Sequence, residues 1–279
     1  MIEALQYDFM RNAVLAGLLA SVACGIVGSY VVVNRVALIS GGIAHAAYGG
    51  IGLGYFFGFN PVLGAAVFSV GSALGLGVVQ RKTRQRTDTL IAVMWAIGMA
   101  FGILLVDLAA GYKADLLSYL FGSILAVPTA DLVIMAVLDV AIVALVFLFY
   151  KELLSISFDE TYAEVSGVKV GAIYLMLLCL VAITVVMLMR VVGLIMVIAL
   201  LTIPAAIASL FAKSLKGTML LASTLAAVFI LVGLALSFAL DLTSGAAIIL
   251  VAGVAYLVSL LFRPHGRRGS GVLRTHHRE

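Results

Sequence analysis

Leu38-Ile-Ser-Gly-Gly-Ile-Ala-His45-Ala-Ala-Tyr-Gly-Gly50 lies inside a run, residues 36–58, that contains no Asp, Glu, Lys or Arg. A helix needs about 20 predominantly apolar residues to cross a bilayer, and this run is long enough. It also holds His45, an ionisable side chain that costs free energy in lipid unless it faces protein or water. The other histidines, His265, His276 and His277, sit in a polar C-terminal tail. The stretch therefore reads as a membrane-spanning helix that carries a candidate site.

The same reading extends along the chain. Of 279 residues, 64% are hydrophobic and 11% charged. A soluble domain carries about 25% charged residues. Apolar runs at about 13–33, 36–58, 62–79, 89–110, 131–149, 171–189, 192–211, 218–240 and 245–262 predict an all-α, polytopic membrane bundle of eight to ten spans. The count depends on 111–130, where Ser118 to Pro128 is apolar but short, and reads as an external or re-entrant helix. Residues 1–262 form the membrane domain. Residues 263–279 are a Gly- and Arg-rich tail read as disordered. Cys24 and Cys179 fall within apolar runs, which argues against a disulfide framework.

The positive-inside rule orients the bundle. With the 80–88 loop in the cytoplasm, Arg35, the four basic residues of 81–86, Lys151, Lys169, Lys213, Lys216 and the five tail arginines lie inside. Arg11, Lys113 and Arg190 are the remainder of the 17. The N-terminus is then external and the C-terminus cytoplasmic, in a plasma (inner) membrane. The net charge of +4 follows from this topology and is no sign of nucleic-acid binding.

On a helix over 36–58, positions three, four and seven from His45 share its face. These are Gly41, Gly42, Tyr48, Gly49 and Gly52. A glycine stripe lets another backbone approach closely. His45 then points into protein, either as a metal or proton site or as a structural histidine bonded to a neighbouring carbonyl. Ser40 and Tyr48 could assist it. Asp139 sits deep in a span and is expected to find a partner or a cavity. Pro204, with Thr202 nearby, falls mid-span and predicts a kinked helix of the sort that lines transport pathways. Met176, Met187, Met189 and Met196 read as packing.

Residues 151–170 form the longest polar connection. Ser157-Phe-Asp-Glu160 has the capping-box pattern, with Ser157 as N-cap, and Gly167 suits a left-handed C-terminal stop. A helix over roughly 158–166 follows. It is too short to stand alone in water, so Phe158, Tyr162 and Val165 need a surface, either their own bundle or a partner's groove. No Gly-x-x-x-x-Gly-Lys-[Ser/Thr] loop is present, so the chain is not an enzyme hydrolysing a nucleotide by that route. Active transport would draw on a gradient or another subunit.

Together these passages resemble the permease subunits of zinc- and manganese-uptake ABC transporters. Leu38 to Ala46 is similar to the family's segment around an intramembrane histidine. Ser157-Phe-Asp-Glu-Thr-Tyr-Ala-Glu-Val-Ser-Gly167 is similar to its coupling helix, and Val192 to Ala206 to its proline-containing span. Tyr119 to Val127 and Leu242 to Ala246 agree. The resemblance implies a homodimer above two ATPases, an external metal-binding protein, and no permanent cofactor. It makes zinc or manganese the transported ion, with His45 helping to coordinate it. It also assigns ATPase coupling to Phe158, Asp159, Glu160, Tyr162, Glu164 and Gly167. Many members carry an aspartate where this chain has Gly41, so charge neutralisation at His45 is weaker here. Outside that resemblance stand a permease for a metal chelate, a gradient-driven cation carrier and a membrane scaffold.

Overall fold

The computed structural model describes residues 6–83, 86–109 and 122–262, the side chain of Arg190 apart. In chain order the helices are α1 (Asp8–Val33), α2 (Ala37–Phe57), α3 (Pro61–Lys82), α4 (Thr87–Leu108), α5 (Thr129–Leu148), α6 (Tyr150–Phe158), α7 (Glu160–Val165), α8 (Val170–Val192), α9 (Leu194–Phe211), α10 (Leu215–Leu240) and α11 (Ser244–Leu261). A 3-10 turn, Ile124–Ala126, precedes α5. The nine apolar runs of the sequence are α1 to α5 and α8 to α11. Eight of them are long and apolar enough to cross a membrane. The ninth, α2, is diluted by its glycines and His45, yet spans 21 residues and is wrapped by protein. Most of the short external helix expected within 111–130, and the whole tail 263–279, lie outside the described residues.

The helix ends follow from local chemistry. Asn60 accepts a hydrogen bond from the Val62 N–H at 2.9 Å and Pro61 opens α3, where its missing donor is not needed. Ser214 caps α10 through the Gly217 N–H. A single residue, Gly193, joins α8 to α9 at φ 76° and ψ 159°. Only glycine is at ease there. The backbone of Gly122 lies against this joint, since a Cβ at 122 would stand 2.2 Å from the Gly193 nitrogen.

Two groups of helices meet along α8. On one side α2 packs against α3 and α4; on the other α1 packs against α5, α9 and α10, with α11 outside. Lipid-type packing has no hydrophobic drive between helices, so close approach is what binds them. A Cβ at Gly28 would meet the Leu201 carbonyl oxygen at 2.3 Å, and one at Gly50 the Gly64 oxygen at 2.1 Å. The outer faces of α4, α5 and α11 are exposed and apolar: Ile97, Leu104, Val140, Phe147 and Leu250 all face outward.

Cross-ties sort the connections between two ends. Asn12 donates to the Val127 carbonyl at 3.0 Å, which places the start of α1 beside the start of α5. Asn34 donates to Ser157 Oγ at 2.9 Å and Tyr174 to Gln80 Oε1 at 3.0 Å. The α1–α2 turn, the end of α3, α6 and the start of α8 therefore share the opposite end.

Candidate metal passage around His45

α2 is held by glycine on several sides rather than along one stripe. A Cβ at Gly42 would meet Ile91 and Met94 of α4, one at Gly52 the Gly102 carbonyl of α4, and one at Gly49 the Phe68 ring of α3. Gly41 looks toward Ile198 of α9, whose Cδ1 is 3.6 Å from the Cβ position. The single helical face read from spacing is thus split among three neighbours.

His45 is 8% exposed, and its Nδ1 is buried with no hydrogen-bond partner among the described residues. The imidazole is not bonded to a backbone carbonyl through that atom. Its ring lies flat against the indole of Trp95 on α4, with centroids 3.8 Å apart and planes 10° from parallel. Sequence reasoning missed Trp95. The spacing of Gly98 and Gly102 on α4 was the available signal, because small residues four apart mark a seam. A Cβ at Gly98 would meet the Ala46 Cα at 2.7 Å.

The other candidates take separate places. Ser40 Oγ donates to the Ala37 carbonyl at 2.7 Å, so its hydroxyl is spent inside α2. Tyr48 is buried, and its carbonyl faces Gly102. Thr202 Oγ1 donates to the Ile198 carbonyl at 2.7 Å, and Pro204 lies buried within α9, where it leaves Leu200 without a helical donor. Asp139 is 6% exposed on α5, which packs on α1. Both of its carboxyl oxygens are buried, and among the described residues neither has a hydrogen bond. Its neighbours Met135 and Leu138 line an apolar cavity of about 360 Å³ between α3, α5 and α8. Among the described residues no three His, Cys, Asp or Glu side chains gather into a metal cluster. Among the described residues His45 is thus not part of a ready-made cluster of three such ligands.

One end of the bundle holds a polar cavity of about 490 Å³ lined by Arg35, Gln80, Arg81, Asp88, Glu160 and Tyr174, with Ile39 and Ile91 at its inner wall. Beside it the 151–170 stretch corrects the expected cap. It forms two helices, α6 and α7, because Leu153 and Ile156 bury one turn apart and extend helix back to Tyr150. Ser157 sits within α6 and donates to the Leu153 carbonyl, so it cannot cap. Asp159 is the N-cap, accepting from the Tyr162 N–H at 3.0 Å. Gly167 does close the segment at φ 84°. Its N–H reaches the Glu164 carbonyl while the Val168 N–H reaches Ala163, a Schellman pair. Only Ala163 of α7 is buried. Phe158, Tyr162 and Val165 are 73%, 66% and 84% exposed, so they do not rest on their own bundle. Glu160 and Glu164 are exposed as well.

These features define a polytopic helical membrane protein with an imidazole buried in its bundle and exposed apolar side chains on short helices at one end. The ABC 3 transport family model matches residues 6–263. An uncharacterized membrane protein of Synechocystis is 60% identical over 94% of each chain. The manganese transport system membrane protein MntC of Listeria monocytogenes is 36% identical over 93% of this chain and 92% of its own. The solved structure of PsaBC from Streptococcus pneumoniae in complex with Fab superposes with a TM-score of 0.86 at 32% identity, covering 96% of each chain. The chain belongs to the ABC 3 transport family, and its fold is that of an ABC importer permease of the metal-transport type.

Proposed function

We propose that this chain is the membrane subunit of an ATP-driven importer of a divalent metal ion, with manganese ahead of zinc. The observation that carries the reading is the buried His45, whose Nδ1 has no hydrogen-bond partner among the described residues of a tightly packed interior. A buried polar atom without a hydrogen bond costs about 1–3 kcal/mol. A passing cation would use that lone pair. One imidazole makes a weak site, which suits a waystation from which the ion must leave. Manganese takes precedence because relatives named for it in Listeria monocytogenes and Streptococcus parasanguinis align over nearly the whole chain.

The chain carries no nucleotide-binding loop of its own, so the energy comes from a separate ATPase. Exposed Phe158, Tyr162 and Val165, set by the Asp159 cap and the Gly167 stop, are the surface it would grip. An external metal-binding protein would deliver the ion to the opposite end. A homodimer would double the single His45 donor at the axis of the complex. The excess of basic residues at the α7 end supports a cytoplasmic face for that end in the plasma membrane, with the N-terminus outside.

Reconstitution with the partner ATPase tests this. ATP should drive manganese uptake into vesicles oriented with the α7 end toward ATP, and His45→Ala should abolish uptake while the complex still assembles. Uptake that follows an imposed proton gradient without ATP would refute it.

A further inference from the structure

The chain contains one tryptophan, and that tryptophan lies against the one histidine of the bundle. Trp95 is 42% exposed on α4, while His45 beneath it is 8% exposed. At 3.8 Å and 10° the two rings are in full face contact. The stack is set by the backbone, because Gly98, one turn beyond Trp95, puts α4 directly on Ala46, the residue after His45. That close backbone approach holds the two side chains within reach of each other.

Such a stack has two consequences for a cation. The indole covers one face of the imidazole and fixes the plane of the ring. Metal ions bind imidazole in that plane, along a nitrogen lone pair, so the indole orients the donor without obstructing it. A metal-bound imidazole also carries positive charge, and the face of an indole is the side-chain surface that best stabilises a cation. The position one turn before His45, Gly41, supplies no carboxylate to share that charge.

We propose that Trp95 is a positioning residue for cation binding at His45, orienting the imidazole and holding part of the bound ion's charge through its π face. The proposal rests on His45 being the cation site. A stack that merely filled space between α2 and α4 would be replaceable by any apolar side chain of similar size. A cation-supporting stack keeps its value only with an aromatic ring.

The single indole is also the reporter. The full-length permease, purified in detergent, would be titrated with manganese and separately with zinc while Trp95 emission is recorded. Metal affinity would be measured in parallel by equilibrium dialysis. Saturable quenching by manganese and a saturable spectral shift with zinc are expected, and both should vanish in His45→Ala. Trp95→Phe should hold metal within about threefold of the parent, and Trp95→Leu should weaken it by about tenfold, inside the range of a desolvated cation–π contact. Melting temperatures identify any variant that is misfolded, and the titration of the parent chain against His45→Ala needs no change at Trp95. If binding is lost in His45→Ala but Trp95 emission never responds, or Trp95→Leu binds as tightly as Trp95→Phe, the positioning role fails and the His45 site stands. If metal binds equally well in His45→Ala, the site fails and the role falls with it.

Discussion

Gly102→Ala asks whether the α2–α4 seam sets the geometry at His45. A Cβ at 102 would stand 2.3 Å from the Tyr48 carbonyl oxygen, 2.5 Å from its carbon and 2.9 Å from the Gly49 nitrogen. Ordinary contact begins near 3.4 Å, so α4 must retreat by about 1 Å. All three obstacles are backbone atoms of α2, and no rotamer change relieves them. Forced overpacking costs about 1–3 kcal/mol. Replacing glycine by alanine inside a helix returns about 1 kcal/mol. The net loss is therefore about 0–2 kcal/mol, a fall of up to roughly 6 °C in melting temperature for a chain of this size. The local effect is larger than the global one. Trp95 lies two turns along α4 from Gly102, and a gap of about 1 Å forfeits a quarter to a half of each dispersion contact between its ring and His45. Thermal unfolding in detergent and Trp95 emission read the two effects separately. The control is Gly253→Ala on α11, where an added Cβ meets nothing within 4 Å. It should leave stability unchanged or raise it by about 1 kcal/mol. An unshifted emission spectrum in Gly102→Ala, or a melting temperature above that of Gly253→Ala, refutes the idea that backbone contact at this seam holds the stack.

Gly41→Asp should fold, because only Ile198 Cδ1 lies near the new Cβ, and it should place a carboxylate one turn from His45. Manganese retention in equilibrium dialysis should rise by at least about tenfold, roughly 1.4 kcal/mol, with slower release and slower uptake; unchanged retention would count against a cation at His45. Asp139→Leu removes a carboxyl with two unpartnered oxygens from an apolar setting. Thermal stability should rise by about 1–3 kcal/mol, and a fall would reveal a partner for Asp139 within the membrane. Asp159→Ala deletes the cap of α7 and should cost that helix about 1 kcal/mol. ATP hydrolysis by the reconstituted complex should continue while metal uptake drops, and uptake at the parental rate would separate α7 from coupling.

The membrane spans were legible because their signal is additive: each apolar run is about 20 residues long and is bounded by polar residues, Pro or Gly. α6 escaped that signal. Its helix depends on burying Leu153 and Ile156 beside α8, and nothing in Lys151-Glu-Leu-Leu-Ser-Ile-Ser157 announces that neighbour. The cap moved from Ser157 to Asp159 for the same reason, since Ser157 is already engaged with Leu153 and Asn34. His45 was legible as an ionisable residue in lipid, but its partner was not. An aromatic residue in an apolar span is anonymous until the crossing of two helices fixes what it touches. The glycines were legible as close-packing residues, while the helix each one admits was decided by three different neighbours.

The position of the polar cavity bears on how α7 could act on His45. Glu160 is the first residue of α7 and also lines that cavity, together with Arg35 at the start of the turn into α2. Arg35 holds a left-handed backbone at φ 57°, a conformation that costs a non-glycine residue free energy and persists only where its surroundings enforce it. The inner wall of the cavity is Ile39 and Ile91, and Ile91 fills the space over Gly42, one turn before His45. Ile91 thus stands between this cavity and the turn of α2 that precedes His45. Isoleucine side chains are stiff at χ1 and yield little on their own, so widening the cavity here would call for a shift between α2 and α4. Glu160 and Arg35 line this one cavity, so α7 and the turn into α2 border the same polar space. Under the function proposed above, a partner gripping the short capped helix α7 would act on a wall of the cavity whose Ile91 reaches to within one turn of His45.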